Sequence, residues 1–334
     1  MQSFEPSDPS LAAYFEENGY VVVKGVASTA EVEDATGLLW QFLESETSLR
    51  QSEATAWEFP DDLGYAHLGI MNSLGFNHSA CCWYIRQLPS VREAFSQIWK
   101  TRDLICSFDG GNIFLPWTAE DESNKTTDGW FHCDQGRTRQ GLQGVQGLVA
   151  LTDATEHTGG LLVIPGSHKQ HERLVSTRRD DGDFVMLRGS DSKFINTNEA
   201  RLVQVNAGDL IMWDSRVIHC NGCAVKAPSP SLGYPMDQLL RACIYVCMGP
   251  AKKATKEVLS LRQRAFVRNV GTNHWPHEFH SIGWVGSDFE RGIEDKEELW
   301  QQVLSVAKER GLRSENYGLV GGAPSSESVF KSSS

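Results

Sequence analysis

The sequence predicts a mainly β domain with helices at both ends and an antiparallel sandwich or barrel as its core. Between Leu104 and Met248 the chain breaks into short apolar or alternating runs separated by turn formers, including Gly159-Gly160, Pro165-Gly166-Ser167 and Ala207-Gly208-Asp209. Many short strands at that spacing, with no long helical pattern between them, belong to sandwiches and barrels. The flanks carry helical periodicity instead. Within the core, His132 and Asp134 lie two residues apart, and His219 stands at the end of a distant strand-like run.

In chain order, Leu11 to Asn18 reads as a short helix stopped by Gly19, and Tyr20-Val21-Val22-Val23 follows as a buried strand. Ser28 opens a second helix. Glu31 completes a capping box with it, and Val32, Ala35, Leu39 and Phe42 form the apolar stripe. A further helix is predicted from Ser90, with Glu93 repeating the box and Val91, Phe95, Ile98 and Trp99 buried. Residues 1–103 are thus read as helical with one strand, and 104–250 as the catalytic core. Beyond Pro250, Val258, Leu261 and Ala265 mark one helix and Leu299, Val303 and Val306 another, packed outside the core over 251–320. Residues 321–334, rich in Ser, Gly and Ala, are expected to be a flexible tail. With no internal repeat and no compositional break, residues 1–320 are expected to form a single domain.

Composition excludes several classes of partner. A formal charge of -12 over 334 residues opposes nucleic acid, whose phosphates demand clustered cations. Met1 to Ser10 has neither the basic start nor the apolar run of a secretory signal, and no apolar run reaches the roughly 18 residues of a membrane span. A soluble cytoplasmic protein is expected, with its eight cysteines reduced. Oligomeric state is not legible.

A His and a carboxylate two apart on an extended strand point to the same side, and a second His from another strand completes one face of a metal. Two imidazoles and one carboxylate, with the opposite face open, suit a non-heme Fe(II) that also binds a co-substrate and dioxygen. Cys220, Cys223, Cys243 and Cys247 invite a tetrahedral zinc site, but the spacing of the second pair is loose. His157, His168 and His171 sit at or near hairpin turns and are read as structural.

Four stretches, in order, resemble the phytanoyl-CoA dioxygenase family of Fe(II)- and 2-oxoglutarate-dependent oxygenases. Asn18-Gly19-Tyr20-Val21-Val22-Val23-Lys24-Gly25 resembles the opening helix-to-strand turn, and His132-Cys133-Asp134 the proximal metal motif. Thr158 to His168 resembles the mid-core hairpin, and Gly208 to His219 the strand pair that carries the distal ligand. Together they span roughly residues 15 to 250. The resemblance implies a double-stranded β-helix, the jelly-roll-like barrel of the cupin type, with Fe(II) held by His132, Asp134 and His219. It also implies that 2-oxoglutarate and O2 are consumed, that succinate and CO2 are released, and that a C–H bond of a small molecule is oxidised.

In the resemblance Arg241 holds the distal carboxylate of 2-oxoglutarate, a task that suits a guanidinium's paired donors; a surface ion pair is the alternative. A Pro- and Ser-bearing insertion from Ala227 to Pro235 precedes it. Asn221 either contacts 2-oxoglutarate or serves a turn. Gln146 and Asn112 are polar residues in core strands and are further candidates for the cofactor, with a solvent-facing position as the alternative for Gln146. Leu148 stands where the family's name-giving enzyme carries a tryptophan. Arg137 and Arg139 either bind a substrate carboxylate or phosphate at the barrel mouth or lie in a solvated loop, and residues 272–277 form either a lid or ordinary packing. Related halogenases lack the carboxylate supplied here by Asp134, so hydroxylation, desaturation or oxidative cyclisation is expected. The acidic chain shows no basic patch for a CoA nucleotide, which favours a modest-sized metabolite bearing a carboxylate. An acyl-CoA hydroxylase, a non-catalytic metal-binding barrel and another divalent-metal enzyme are the alternatives.

Overall fold

The computed structural model describes residues 2–179, 181–224, 236–283, 289 and 296–321. Its largest sheet has eight strands in the order β1 (Ser3–Phe4), β2 (Tyr20–Val23), β12 (Leu210–Asp214), β8 (Val145–Ala150), β14 (Arg241–Tyr245), β6 (Gly111–Phe114), β4 (Ile70–Met71) and β3 (Gly64–Tyr65). A second sheet runs β10 (Val185–Met186), β7 (His132–Cys133), β13 (His219–Gly222), β9 (Gly160–Val163) and β11 (Arg201–Leu202). A small third sheet pairs β15 (Met248–Pro250) with β5 (Leu104–Cys106). Pairing is antiparallel apart from β1 with β2.

Strand parity sorts the side chains. Leu148 on β8, Ile211 and Trp213 on β12 and Cys243 on β14 point inward and meet Leu161 and Val163 of the second sheet in one apolar cluster. Their neighbours Val149, Leu210, Met212, Ala242 and Ile244 point outward into a larger cluster shared with the helices. Helices cover that outer face, so these strands are buried on both sides and read as near-continuous apolar runs. This is the double-stranded β-helix expected from the sequence.

The helices are α1 (Leu11–Asn18), α2 (Thr29–Glu46), α3 (Ala80–Arg86), α4 (Pro89–Trp99), α5 (His171–Ser176), α6 (Lys256–Val267), α7 (Lys296–Glu309) and α8 (Gly318–Gly321). Gly19 ends α1 at φ +77, and a Cβ there would lie 2.4 Å from both His168 Nδ1 and Val217 Cγ2. Only glycine allows helix, hairpin and barrel to meet so closely. The Ser28–Glu31 capping box caps α2 as expected, an arrangement worth about 1 kcal/mol.

Two expectations are corrected. The box at Ser90 does not form, because Pro89 at the first helical position starts α4 one residue earlier. There Ser90 Oγ donates to Val26 O, while Glu93 meets Arg102 and Gln97. The front third holds four short strands, β1 to β4, where the sequence suggested one. Gly321 is buried at the end of α8, and the rest of the expected tail, like the Ala227 to Pro235 insertion, lies outside the described residues. Among the described residues, no helix is long and apolar enough to cross a membrane.

Candidate active site

β7 and β13 are neighbours in the smaller sheet, and their register sets His132 directly opposite His219. Asp134 follows β7 immediately, its backbone N–H donating to Ser215 O at 2.8 Å. His132 Nε2 lies 3.6 Å from Asp134 Oδ1, and His219 Nε2 lies 3.3 Å from Asp134 Oδ2. All three side chains are buried, and one ligand atom from each lies within 4.8 Å of the others. Adjacent ligands roughly 2.1 Å from a common cation stand about 3 Å apart, so a metal fits with little adjustment.

The backbone prepares both imidazoles for this role. His132 Nδ1 lies 3.1 Å from Trp130 O and His219 Nδ1 lies 2.9 Å from Val217 O. A carbonyl only accepts, so Nδ1 carries the proton and the Nε2 lone pair faces the site. Burial opposes ionisation of Asp134, but the neighbouring His132 and His274, together with the contact to His219, outweigh it and hold the carboxyl well below the usual range. Burial, reinforced by His132, lowers His219 and keeps that imidazole neutral, the form that ligates. Gln146 on β8 is buried, not solvent-facing, and its Nε2 donates to Asp134 Oδ2 at 2.9 Å. It therefore orients the carboxylate.

The remaining cofactor candidates converge on Arg241. This side chain is 3% exposed with no carboxylate partner among the described residues, so the surface ion pair is ruled out. Its Nη1 donates to Asn112 Oδ1 at 3.0 Å and Asn221 Oδ1 at 2.9 Å, and its Cζ sits 5.0 Å from the Phe114 ring centre. Nη2 is buried without a hydrogen-bond partner. A buried guanidinium with a vacant donor suits a dicarboxylic acid whose far end arrives with the cofactor. Asn112 is fully buried, its Nδ2 donating to Leu68 O at 2.9 Å, so it braces Arg241.

A cavity of about 560 Å³ opens beside the three-residue cluster. His132, Asp134 and His219 line it together with Gln146, Leu148 and Asn221. Sequence reasoning missed Trp130, Trp213, Phe184 and Asp109, which also line it. The first two had a signal in strand parity, since Trp130 shares a face with His132 and Trp213 with Ile211. Trp130 stacks on His132 with ring centres 4.7 Å apart, and Trp213 lies 5.3 Å from His219.

Residues 272–277 border this cavity through Asn273 and His274, while Trp275 is fully buried. Arg139 fastens the segment: it bonds Asp183 at 2.8 and 2.9 Å, meets Glu278 at 2.8 Å, and stacks 4.2 Å above the Trp275 ring centre. Its guanidinium is thus committed to internal carboxylates, and Arg137 pairs with Asp181 near the surface. Neither lines the cavity, and among the described residues the wall contains no Lys or Arg. A substrate carboxylate would therefore meet no guanidinium or ammonium on this wall. His168 and His171 bond backbone carbonyls of Glu16 and Gln135, and His157 lies 3.7 Å from Glu156, as befits structural residues. Among the described residues, the cysteines form no metal cluster.

A jelly-roll barrel with two imidazoles and one carboxylate converging at an open cavity defines a non-heme iron, 2-oxoglutarate-dependent oxygenase. The model of the phytanoyl-CoA dioxygenase (PhyH) family matches residues 15–222, and the chain belongs to that family. It is 25% identical over 284 residues to the Ava biosynthesis cluster protein O of Aspergillus versicolor, covering 79% of this chain and 85% of that one. It is 22% identical over 240 residues to a putative phytanoyl-CoA dioxygenase of Dictyostelium discoideum, covering 62% and 68%. Among solved structures, the apo form of EctD from S. alaskensis shares the fold with a TM-score of 0.50 at 15% identity, covering 77% of this chain and 82% of that one.

Proposed function

We propose that His132, Asp134 and His219 are the protein ligands of Fe(II), that Arg241 holds the far carboxylate of 2-oxoglutarate, and that Asn221 and Asn112 set the guanidinium in place. The observation that carries this reading is the convergence of three ligand atoms within 4.8 Å at the wall of a cavity. When bound, the iron and 2-oxoglutarate supply an oxidant for a C–H bond, with succinate and CO2 as co-products. The chain's own residues prepare the site. The carbonyls of Trp130 and Val217 keep both Nδ1 atoms protonated, and Gln146 fixes one Asp134 oxygen. Trp130 and Trp213 pack against the His132 and His219 rings and help hold them in place.

The substrate is a small molecule that shares the cavity of about 560 Å³ with 2-oxoglutarate and is oxidised by hydroxylation, desaturation or ring closure. Biosynthesis of a secondary metabolite is consistent with the cluster designation of the Aspergillus versicolor relative. The acyl-CoA alternative is disfavoured because, among the described residues, the wall offers no cation for a nucleotide phosphate. We read residues 1–320 as one oxygenase unit. A cytoplasmic setting accords with eight free thiols, seven of them buried.

The test is succinate formation from 2-oxoglutarate in air with added Fe(II), measured alongside bound iron. The native chain should turn over slowly even without substrate, and His219→Ala should lose both iron and succinate release. A well-folded native chain that binds iron but yields no succinate would sink the oxygenase reading in favour of a non-catalytic metal-binding barrel.

A further inference from the structure

Asp109 lines the same cavity, in the bend between β5 and β6, and its position is rigidly set. A Cβ on Gly110 would lie 1.8 Å from Met71 O, so glycine is obligatory at the tightest point of the bend. The buried Arg86 donates to Asp109 O, and Gly110 N donates to Asp109 Oδ1 at 2.8 Å. The other carboxylate oxygen has no partner among the described residues, and no described cation lies within ion-pair distance. Beside it, Thr272 N donates to Phe108 O at 2.8 Å and brings in His274, whose Nε2 is buried without a partner. Burial pushes the Asp109 carboxyl above its usual range, with His274, the Gly110 N–H and Arg86 only partly opposing it, so a cation arriving at the unpartnered oxygen would stabilise the charged form that burial disfavours.

The rest of the wall suits the same visitor. Indole faces attract cations, and Trp130 and Trp213 both contribute to the lining. Tyr65 and Phe184, 51% and 54% exposed, also contribute; Phe184 packs on His132 and Tyr65 meets the edge of His67, and each leaves ring surface open to the cavity mouth. A net charge of -12 draws cations toward the protein over a longer range.

We propose that Asp109 orients the substrate of this oxygenase, and that the substrate is a ring-bearing small molecule whose basic nitrogen pairs with the Asp109 carboxylate. This proposal rests on the oxygenase reading above and adds the substrate's chemical class to it.

The experiment uses the full chain loaded with Fe(II) and 2-oxoglutarate under argon. It is titrated calorimetrically with 2-(1-naphthyl)ethylamine, 2-(1-naphthyl)ethanol and 1-naphthylacetate, which present one bicyclic ring with an ammonium, a hydroxyl or a carboxylate. A charge-assisted contact predicts that the amine binds at least roughly tenfold tighter than the alcohol, with the acid weakest. Asp109→Asn should erase the amine's advantage. The proposal is overturned if the acid matches the amine, if none of the three binds, or if the preference survives in Asp109→Asn. Should that variant fail to fold, the order of the three ligands on the native chain decides alone. Succinate release by the native chain in air separates the two levels of inference. Release without an amine preference sinks only the role of Asp109, whereas no release sinks the reading beneath it.

Discussion

Replacing Arg241 with methionine separates cofactor anchoring from folding. Methionine keeps the length of the side chain and its contact with Phe114 while removing the charge and both bonds to Asn112 and Asn221. A carboxylate held by a buried guanidinium loses about 3 kcal/mol when the guanidinium is removed. At 1.4 kcal/mol per decade this is roughly a 150-fold rise in the half-saturating 2-oxoglutarate concentration. Iron binding should be unchanged, because Arg241 makes no hydrogen bond or ion pair with His132, Asp134 or His219. Stability should fall modestly, because relief of the guanidinium's desolvation offsets only part of the cost of leaving the buried Oδ1 atoms of Asn112 and Asn221 without their donor; a net loss of about 1–3 kcal/mol and a Tm lower by a few degrees are expected.

The measurement is succinate release against 2-oxoglutarate concentration at saturating Fe(II), with calorimetric iron binding and thermal unfolding on the same preparation. A half-saturation unchanged within a factor of three, with iron still bound, would show that the cofactor is anchored elsewhere. A Tm lowered by ten degrees or more without a change in half-saturation would mark Arg241 as a purely structural cation.

Gln146→Leu removes the donor to Asp134 Oδ2 and should weaken iron binding by roughly 10–100-fold, read by chelator competition, with Tm little changed. Arg139→Ala releases Asp183, Glu278 and the stacked Trp275 together; with the guanidinium partly exposed, we expect a loss of about 1–2 kcal/mol and faster limited proteolysis around residues 272–280. Mild acid should destabilise the native chain. Burial lowers His78, His168, His171 and His277 below 6.5, with His277 down to about 4. The unfolded chain then binds more protons, and the stability these histidines contribute is full above about pH 6.5 and is lost as pH falls toward 4. Urea midpoints that stay flat from pH 7 to pH 4.5 would contradict this.

Parity made the barrel and its candidate metal cluster legible. Wherever a polar residue interrupts an apolar strand, as at Gln146, Asn112 or Arg241, a period of two places it on the inner face, and burial then demands a partner. The sequence could name these residues but not their partners, because partnership depends on cross-strand register: Arg241 meets Asn112 and Asn221 across separations of 129 and 20 residues. The failures at Ser90 and Arg139 have local and distant causes respectively. A proline one position earlier took the helix start from a sound capping box, and carboxylates 44 and 139 residues away claimed a guanidinium that had looked free. Asp109 had no signal at all. In Phe108-Asp109-Gly110-Gly111 it reads as an ordinary turn residue, and only the packing of β4 against Gly110 and the anchoring by Arg86 turn its carboxylate into part of the cavity wall. The proposed ligand pair His132 and Asp134 answers to a periodicity that a short window reveals, whereas the proposed substrate-facing groups answer to bends and to chain segments that meet only in three dimensions. Chemistry is therefore readable from such a chain sooner than specificity.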